Sequence, residues 1–228
     1  MTPSTQLENK VWYLKQSRLF ERTGEDDIGQ FASLFIQKDY PRRSLVFDYG
    51  DPSHNVFLLK AGMVRLSRIT QDGKEVSLAL LGPGDIFGEE CLFERPTRTT
   101  IARCVDASHL CSTRAQDLFK ILASSPILSL NVAKYLSERL DEAQSTVEEM
   151  SALRIPDRIM HMLDRLAHEY GVKVADGTKI DVHLTHADIA SMIGSTRETV
   201  SLEMGNLVRA GLVRSEGRAG ALVLLRAP

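Results

Sequence analysis

The sequence predicts an α+β chain in three parts: an antiparallel β-roll, a long helix, and a compact helical unit closed by a hairpin. Three observations predict it. Over residues 39–113, short runs of β-forming residues alternate with glycine turns, a rhythm that folds as a roll or sandwich. From residue 125 the period lengthens: Ala133, Leu136, Leu140, Ala143, Val147 and Met150 are spaced 3, 4, 3, 4 and 3 residues apart, the heptad of a helix that packs on another helix. From residue 155 come short amphipathic helices with threonine caps and glycine stops, then two β-rich runs. The boundaries follow as 1–124 for the roll, 125–154 for the helix and hinge, and 155–228 for the C-terminal unit.

Residues 1–24 are mixed and polar, with Trp12 and Tyr13 read as packing residues. Residues 25–36 (EDDIGQFASLFI) open on acids and carry apolar side chains at helical spacing, which predicts a short helix. The β-runs are SLVF, NVFLLKAGMVRLSRI, KEVSLALLG, TTIARCV and HLCSTR. Asp72-Gly73, set between two alternating runs, is the strongest hairpin marker. Helices are expected over 114–123 and 125–153. The second is too long for the preceding roll to cover, so its seam residues Leu136, Leu140, Ala143, Val147 and Met150 are assigned to a homodimer interface. Pro156 ends that helix and suits the first turn of the next, where Ile159, Met162, Leu163, Leu166 and Tyr170 share one face. Gly171 stops this helix; a polar turn at 175–178 and a strand, IDVHL, follow.

Composition excludes several classes. Of 228 residues, 43% are hydrophobic and 25% charged, ordinary for a globular chain. No apolar run approaches the ~20 residues of a membrane span, and the first 16 residues lack a signal peptide's apolar block. A cytoplasmic protein without a membrane partner is expected. Cys91, Cys104 and Cys111 lack the spacing of a disulfide framework or zinc site, and no N-terminal cysteine cluster suits an iron–sulfur centre. No metal, iron–sulfur cluster or haem is expected. Cys91 reads either as a redox sensor or as a small buried residue. No Ser/His/Asp arrangement, P-loop or metal-spaced cluster supports an enzyme.

Residues 184–213 read LTHADIASMIGSTRETVSLEMGNLVRAGLV. Thr185 can cap a first helix whose start Asp188 favours electrostatically. Ile189, Ala190 and Ile193 form its apolar face, and Gly194 makes a tight turn. Thr196 caps a second helix, with Val200, Met204 and Leu207 inward. Helix, glycine turn, helix is a helix-turn-helix, and the run LVRSEGRAGALVLL behind it reads as a wing. The second helix presents Thr196, Arg197, Glu198 and Ser201 at the end that enters a major groove. There an Arg can pair with guanine and a Glu with cytosine. From residue 155 onward nine Lys/Arg face nine Asp/Glu. Affinity must then come from local clustering of Arg197, Arg209, Arg214 and Arg218 near phosphates.

The order of β-roll, long helix and winged helix-turn-helix, with the segment IGSTRETVS, resembles the CRP/FNR family of bacterial transcription regulators, over residues 15–226. The resemblance implies a homodimer on a palindromic double-stranded DNA operator, with activation of transcription and RNA polymerase touched near 175–179. In the cyclic-AMP receptor subgroup this motif's Arg and Glu read bases, which falls on Arg197 and Glu198. A second base-reading Arg usually follows, and here Leu202 stands in its place. A signalling module that works through protein contacts is the other function the sequence admits.

Residues 82–103 (GPGDIFGEECLFERPTRTTIAR) place a glycine and a carboxylate before a short helix and an Arg. Backbone N–H groups and a guanidinium of this kind can cradle a sugar phosphate. The segment resembles the phosphate-binding cassette of cyclic-nucleotide-binding domains. The resemblance assigns an effector site to Gly88, Glu89, Arg98 and Thr99, with cyclic AMP or another cyclic nucleotide as ligand. Glu90 and Cys91 depart from the pattern, since an apolar and a small residue usually follow the Glu. Ala143 and Gln144 fall where the cyclic-AMP receptor has hydroxyl residues. The alternative is an inherited roll whose Arg98 merely pairs with Glu89.

Overall fold

The computed structural model describes residues 14, 15, 17–93, 95–180, 182–216 and 221–225. Trp12, Tyr13 and Arg218 lie outside these residues. The chain divides into two compact units, one of Met1–Leu66 with Leu80–Asp141 and one of Ser67–Ala79 with Glu142–Pro228. Among the described residues no helix is long and apolar enough to cross a membrane.

The roll makes up most of the first unit, with its Ser67–Ala79 hairpin segment grouped in the second. A short 3-10 turn (Arg18–Phe20) and helix α1 (Glu25–Leu34) precede strands β1 (Ile36–Tyr40), β2 (Leu45–Phe47), β3 (Asn55–Ala61), β4 (Val64–Ile69), β5 (Glu75–Leu81), β6 (Ile86–Phe87), β7 (Ile101–Cys104) and β8 (Ser108–Arg114). They form two four-stranded sheets, ordered β1-β8-β3-β6 and β2-β7-β4-β5. The Asp72-Gly73 turn joins β4 to β5 as expected, with Thr70 N–H donating to Lys74 O at 2.9 Å. Two assignments need correction. Ile36 belongs to β1 and not to the helix, which ends at Leu34. The polar-looking N-terminal stretch supplies core: Leu14, Leu19 and Phe20 are buried with Ile28, Phe31, Phe35 and Leu128.

Helix α2 (Ala115–Ser124) leads into the long helix α3 (Pro126–Ala152). Leu128, Asn131 and Tyr135 of α3 are buried, spaced 3 and 4 residues apart as one helix face requires. Two of the three are polar, and each is satisfied. Asn131 Nδ2 donates to Leu19 O at 2.9 Å and Glu21 O at 2.8 Å. Tyr135 Oη donates to Ile86 O at 2.9 Å and accepts from Ile86 N–H at 3.3 Å. Burial holds this phenol well above its ordinary pKa. These bonds seat the start of α3 on the roll.

The second unit contains helices α4 (Ile155–Tyr170), α5 (His186–Ile193) and α6 (Arg197–Arg209) with strands β9 (Gly171–Val174), β10 (Gly177–Ile180), β11 (Val213–Glu216) and β12 (Ala221–Leu225). The strands form one sheet, β11-β12-β10-β9. The IDVHL strand is therefore misplaced: β10 stops at Ile180, and Val182 to Leu184 is irregular. Its ladder partner β9 starts at the very glycine that stops α4. The core joins Ile159, Met162, Leu163 and Leu166 of α4, Ile189, Ala190 and Ile193 of α5, and Val200, Met204 and Leu207 of α6.

One side chain ties the helix ends. Arg158 Nε donates to Leu153 O at 2.9 Å, Nη1 to Ile193 O at 3.2 Å, and Nη2 to Met150 O. The guanidinium thus meets the C-terminal carbonyls of both α3 and α5, where a cation is favoured. Replacing Arg158 with Met keeps the stem and removes the donors. We expect the second unit to lose about 2–3 kcal/mol, the range for hydrogen bonds from a charged donor. Urea unfolding followed by circular dichroism measures it, with Arg158→Lys recovering part of the loss.

Candidate functional site

The outward face of α6 is set by its entry. Helix α5 opens with a reciprocal cap: Thr185 Oγ1 accepts from Asp188 N–H at 3.2 Å, and Thr185 N–H donates to the Asp188 carboxylate at 2.9 Å. Gly194 ends α5 in the left-handed region, φ +66°, a conformation that strains an L residue. The Met150 methyl lies 3.3 Å from where a Cβ would stand. Thr196 then caps α6 by accepting from Thr199 N–H at 3.2 Å. With Val200, Met204 and Leu207 fixed inward, Thr196, Arg197, Glu198, Ser201 and Leu202 are left exposed on the first two turns. Among the described residues neither Arg197 nor Glu198 has an ion-pair partner.

The other cations differ. Arg209 is exposed and Nη2 donates to Asn206 Oδ1 at 2.5 Å, so its charge is not neutralised. Arg214, read as a phosphate ligand, is held instead by Asp176, in the turn between β9 and β10, and by Glu216 at 2.7 Å.

On α3 the proposed seam separates into parts. Leu136 is half-buried against the roll's own core. Leu140 and Val147 are 58% and 65% exposed, and Ala143 between them is exposed. Met150 is half-buried, beside Gly194.

In the roll, Gly88 follows β6 with φ +79° and precedes a short 3-10 turn, Glu89–Phe93. Its carbonyl accepts from Arg98 Nη1 at 3.0 Å and from Cys91 Sγ at 3.0 Å. Arg98 is only 2% exposed. Its Nη2 donates to Asn55 O at 2.5 Å, Nη1 also meets Glu90 Oε1 at 3.1 Å, and its guanidinium carbon sits 4.2 Å from the Phe47 ring centroid and 5.7 Å from that of Phe57. The ion pair is thus with Glu90, and not with Glu89 as the sequence reading allowed. Glu89 and Thr99 are half-buried. Burial raises the Glu89 carboxyl above its ordinary range; its own backbone N–H opposes this, and the neighbouring Glu90 charge adds to it. Burial likewise pushes the Cys91 thiol up. That leaves little thiolate, which favours the packing role over the redox one.

Comparison with known proteins agrees with both halves. A family model described as cyclic nucleotide-binding domain matches residues 37–125, and one described as Crp-like helix-turn-helix domain matches residues 157–227. The cyclic AMP receptor protein of Thermus thermophilus is 30% identical over 201 residues, covering 88% of this chain and 90% of the relative. A CRP-like cAMP-activated global transcriptional regulator of Mycobacterium tuberculosis is 26% identical over 206 residues, 90% of this chain and 92% of the relative. The solved structure of the c-di-GMP responsive global regulator CLP of Xanthomonas campestris superposes with a TM-score of 0.77 at 25% identity, covering 90% of this chain and all of that one. The chain belongs to the CRP/FNR family of transcription regulators. It is a DNA-binding regulator and not an enzyme, and its helix-turn-helix favours DNA reading over a signalling module that acts through protein contacts.

Sequence reasoning missed Asn55, Phe47 and Phe57 as the bed of Arg98. Asn55 lies 43 residues away in the chain and contributes only a backbone carbonyl, so no local pattern could reveal it. Gly88 is legible once the bed is known: a Cβ there would stand 2.8 Å from Arg98 Nη1 and 3.1 Å from Asn55 O. Gly50 has a similar φ of +85° but open space around it. We expect Gly50→Ala to cost about 1–2 kcal/mol of backbone strain and Gly88→Ala clearly more, because Arg98 must also shift. Equal loss of thermal stability in the two variants would refute this packing.

Proposed function

We propose that the chain works as a homodimer in the cytoplasm, reads a palindromic operator through α6, and is controlled by a cyclic nucleotide in the β-roll. Residues 1–124 serve as the sensing domain, 125–154 as the dimerisation helix and hinge, and 155–228 as the DNA-binding domain. The observation that carries this is the exposed, unpaired Arg197–Glu198 pair on the first turn of a capped helix within a Crp-like helix-turn-helix. On this reading Arg197 pairs with a guanine, Glu198 with a cytosine, and Leu202 offers apolar surface to a thymine methyl. Thr196 and Ser201 support base or backbone contacts, and Arg209 and Arg218 meet phosphates.

The dimer reading rests on the exposed apolar stripe of Leu140, Ala143 and Val147, continued by Leu136 and Met150. The effector reading rests on the cassette and on relatives named for cyclic AMP or c-di-GMP. Gly88, Arg98 and Thr99 would hold the phosphate, and Glu89 a ribose hydroxyl. The turn at 175–179, with Asp176 bound to Arg214, would present itself to RNA polymerase for activation.

Selection from random-sequence DNA followed by gel shift tests the DNA reading. Arg197→Ala should cost about 1–3 kcal/mol per half-site and relax preference at one base position. Arg209→Ala should weaken all sequences evenly and flatten the salt dependence. An Arg197→Ala protein with unchanged affinity and preference would overturn the reading. For the dimer, Leu140→Glu places unpaired charges against each other across the seam. Sedimentation should show monomer at micromolar concentration, where the parent chain is dimeric.

A further inference from the structure

We infer that Glu90 is a resident anion in the phosphate seat of the roll, so that a cyclic nucleotide enters only by displacing its carboxylate from Arg98. This rests on the reading that the roll takes a cyclic nucleotide phosphate through Arg98. The observations behind it lie in one small cluster.

Arg98 is 2% exposed, and a guanidinium so buried needs a counter-charge as well as acceptors. Two of its acceptors, Gly88 O and Asn55 O, are neutral. Among the described residues the only carboxylate within ion-pair distance is that of Glu90, 3.1 Å from Nη1. The cassette therefore stands electrically complete with no ligand. It is not complete in hydrogen bonds. Among the described residues Arg98 Nε is buried with no hydrogen-bond partner, and Glu90 presents one oxygen to one nitrogen. A phosphodiester brings two non-bridging oxygens and suits a guanidinium's parallel donors better.

The two anions exclude each other. A carboxylate and a phosphate at one guanidinium repel at short range in a poorly solvated place. The Glu90 side chain retains 18% exposure, and it stands on a five-residue 3-10 turn at the rim. It has a route to solvent when the phosphate arrives. Arg98 has none, since Phe47 and Phe57 lie against its plane. The exchange thus moves the acid and leaves the base in place. Displacement subtracts the Glu90–Arg98 attraction from the affinity of any nucleotide, and a neutral side chain at position 90 removes that deduction.

The test uses the full chain, titrated in a calorimeter with cyclic AMP, cyclic GMP and cyclic di-GMP separately. Four proteins are compared: the parent, Glu90→Gln, Arg98→Ala, and the double variant. At least one ligand should bind Glu90→Gln about 10- to 100-fold more tightly than the parent, the range for losing one charge-assisted hydrogen bond from the competing state. The double variant should lose that gain, because the gain acts through Arg98. Equal affinity in parent and Glu90→Gln overturns the inference while the nucleotide reading stands. Absence of binding in all four proteins overturns both. The gel shift with Arg197→Ala judges the DNA reading independently. Should Glu90→Gln fail to fold by circular dichroism, Glu90→Asp, one methylene too short to reach Nη1, is titrated instead. It should tighten binding by a smaller factor, and no tightening counts against the inference.

Discussion

A buried guanidinium is the constraint around which the roll is arranged. Arg98 cannot be left unpaired at 2% exposure without a cost of several kcal/mol. Its bed is assembled from four places in the chain: Phe47 from β2, Asn55 and Phe57 from β3, Gly88 just after β6, and Glu90 from the 3-10 turn. The Phe57 and Phe87 rings stack at 5.2 Å, and Phe47 lies 5.7 and 6.0 Å from them. This aromatic wall keeps water from the cation and gives its positive face a favourable quadrupole. Tyr135 fixes Ile86, two residues before Gly88, so the long helix begins bonded to the strand that aims the cassette.

What could be read from the sequence was whatever a short window encodes. The Asp72-Gly73 hairpin, the Thr185 and Thr196 caps, the Gly194 turn and the inward rows of α4 and α6 each depend on residues within a turn or two, and each appears in the structure. The failures share a cause as well. Ile36 continues a helical apolar spacing, yet pairing of β1 with β8 claims it, Ile36 standing opposite Ser112. Gly171 stops α4 as its residue type suggests, but that it also starts a strand is decided by Thr178 to Ile180 across the ladder. Leu14, Leu19 and Phe20 carry no periodicity because they fill a core made by other elements. Glu90 shows in the sequence only as a departure from the cassette pattern. Its bond to Arg98, in preference to Glu89, is a matter of three-dimensional reach.

In the DNA-binding half the charges balance even on α6, where Arg197 and Arg209 stand with Glu198 and Glu203. Arg214 is spent on Asp176 and Glu216, both within the same sheet region. Among the described residues Arg209 is bonded to a neutral amide and neither it nor Arg197 has an ion-pair partner. Asp176 and Glu216 are taken up by Arg214, whereas Arg197 and Glu198 both stand exposed at the start of α6. On the proposed DNA reading such a surface would make few phosphate contacts, and its discrimination between sequences would weigh more against its general attraction to DNA.

Arg158 gives the unit a mechanical property. Its one planar side chain is bonded to Met150 O and Leu153 O near the end of α3 and to Ile193 O at the end of α5, and only Gly194, Ser195 and Thr196 separate α5 from α6. One guanidinium thus ties together carbonyls from the ends of two helices. A shift of the last turn of α3 against the end of α5 would have to break one of these bonds. If, as proposed, two copies pair through the stripe from Leu140 to Val147, a change of helix phase there would act on the helix-turn-helix of each copy through this junction. Arg158 would then bear on that response although the proposed function assigns it to neither the DNA-reading face nor the effector site.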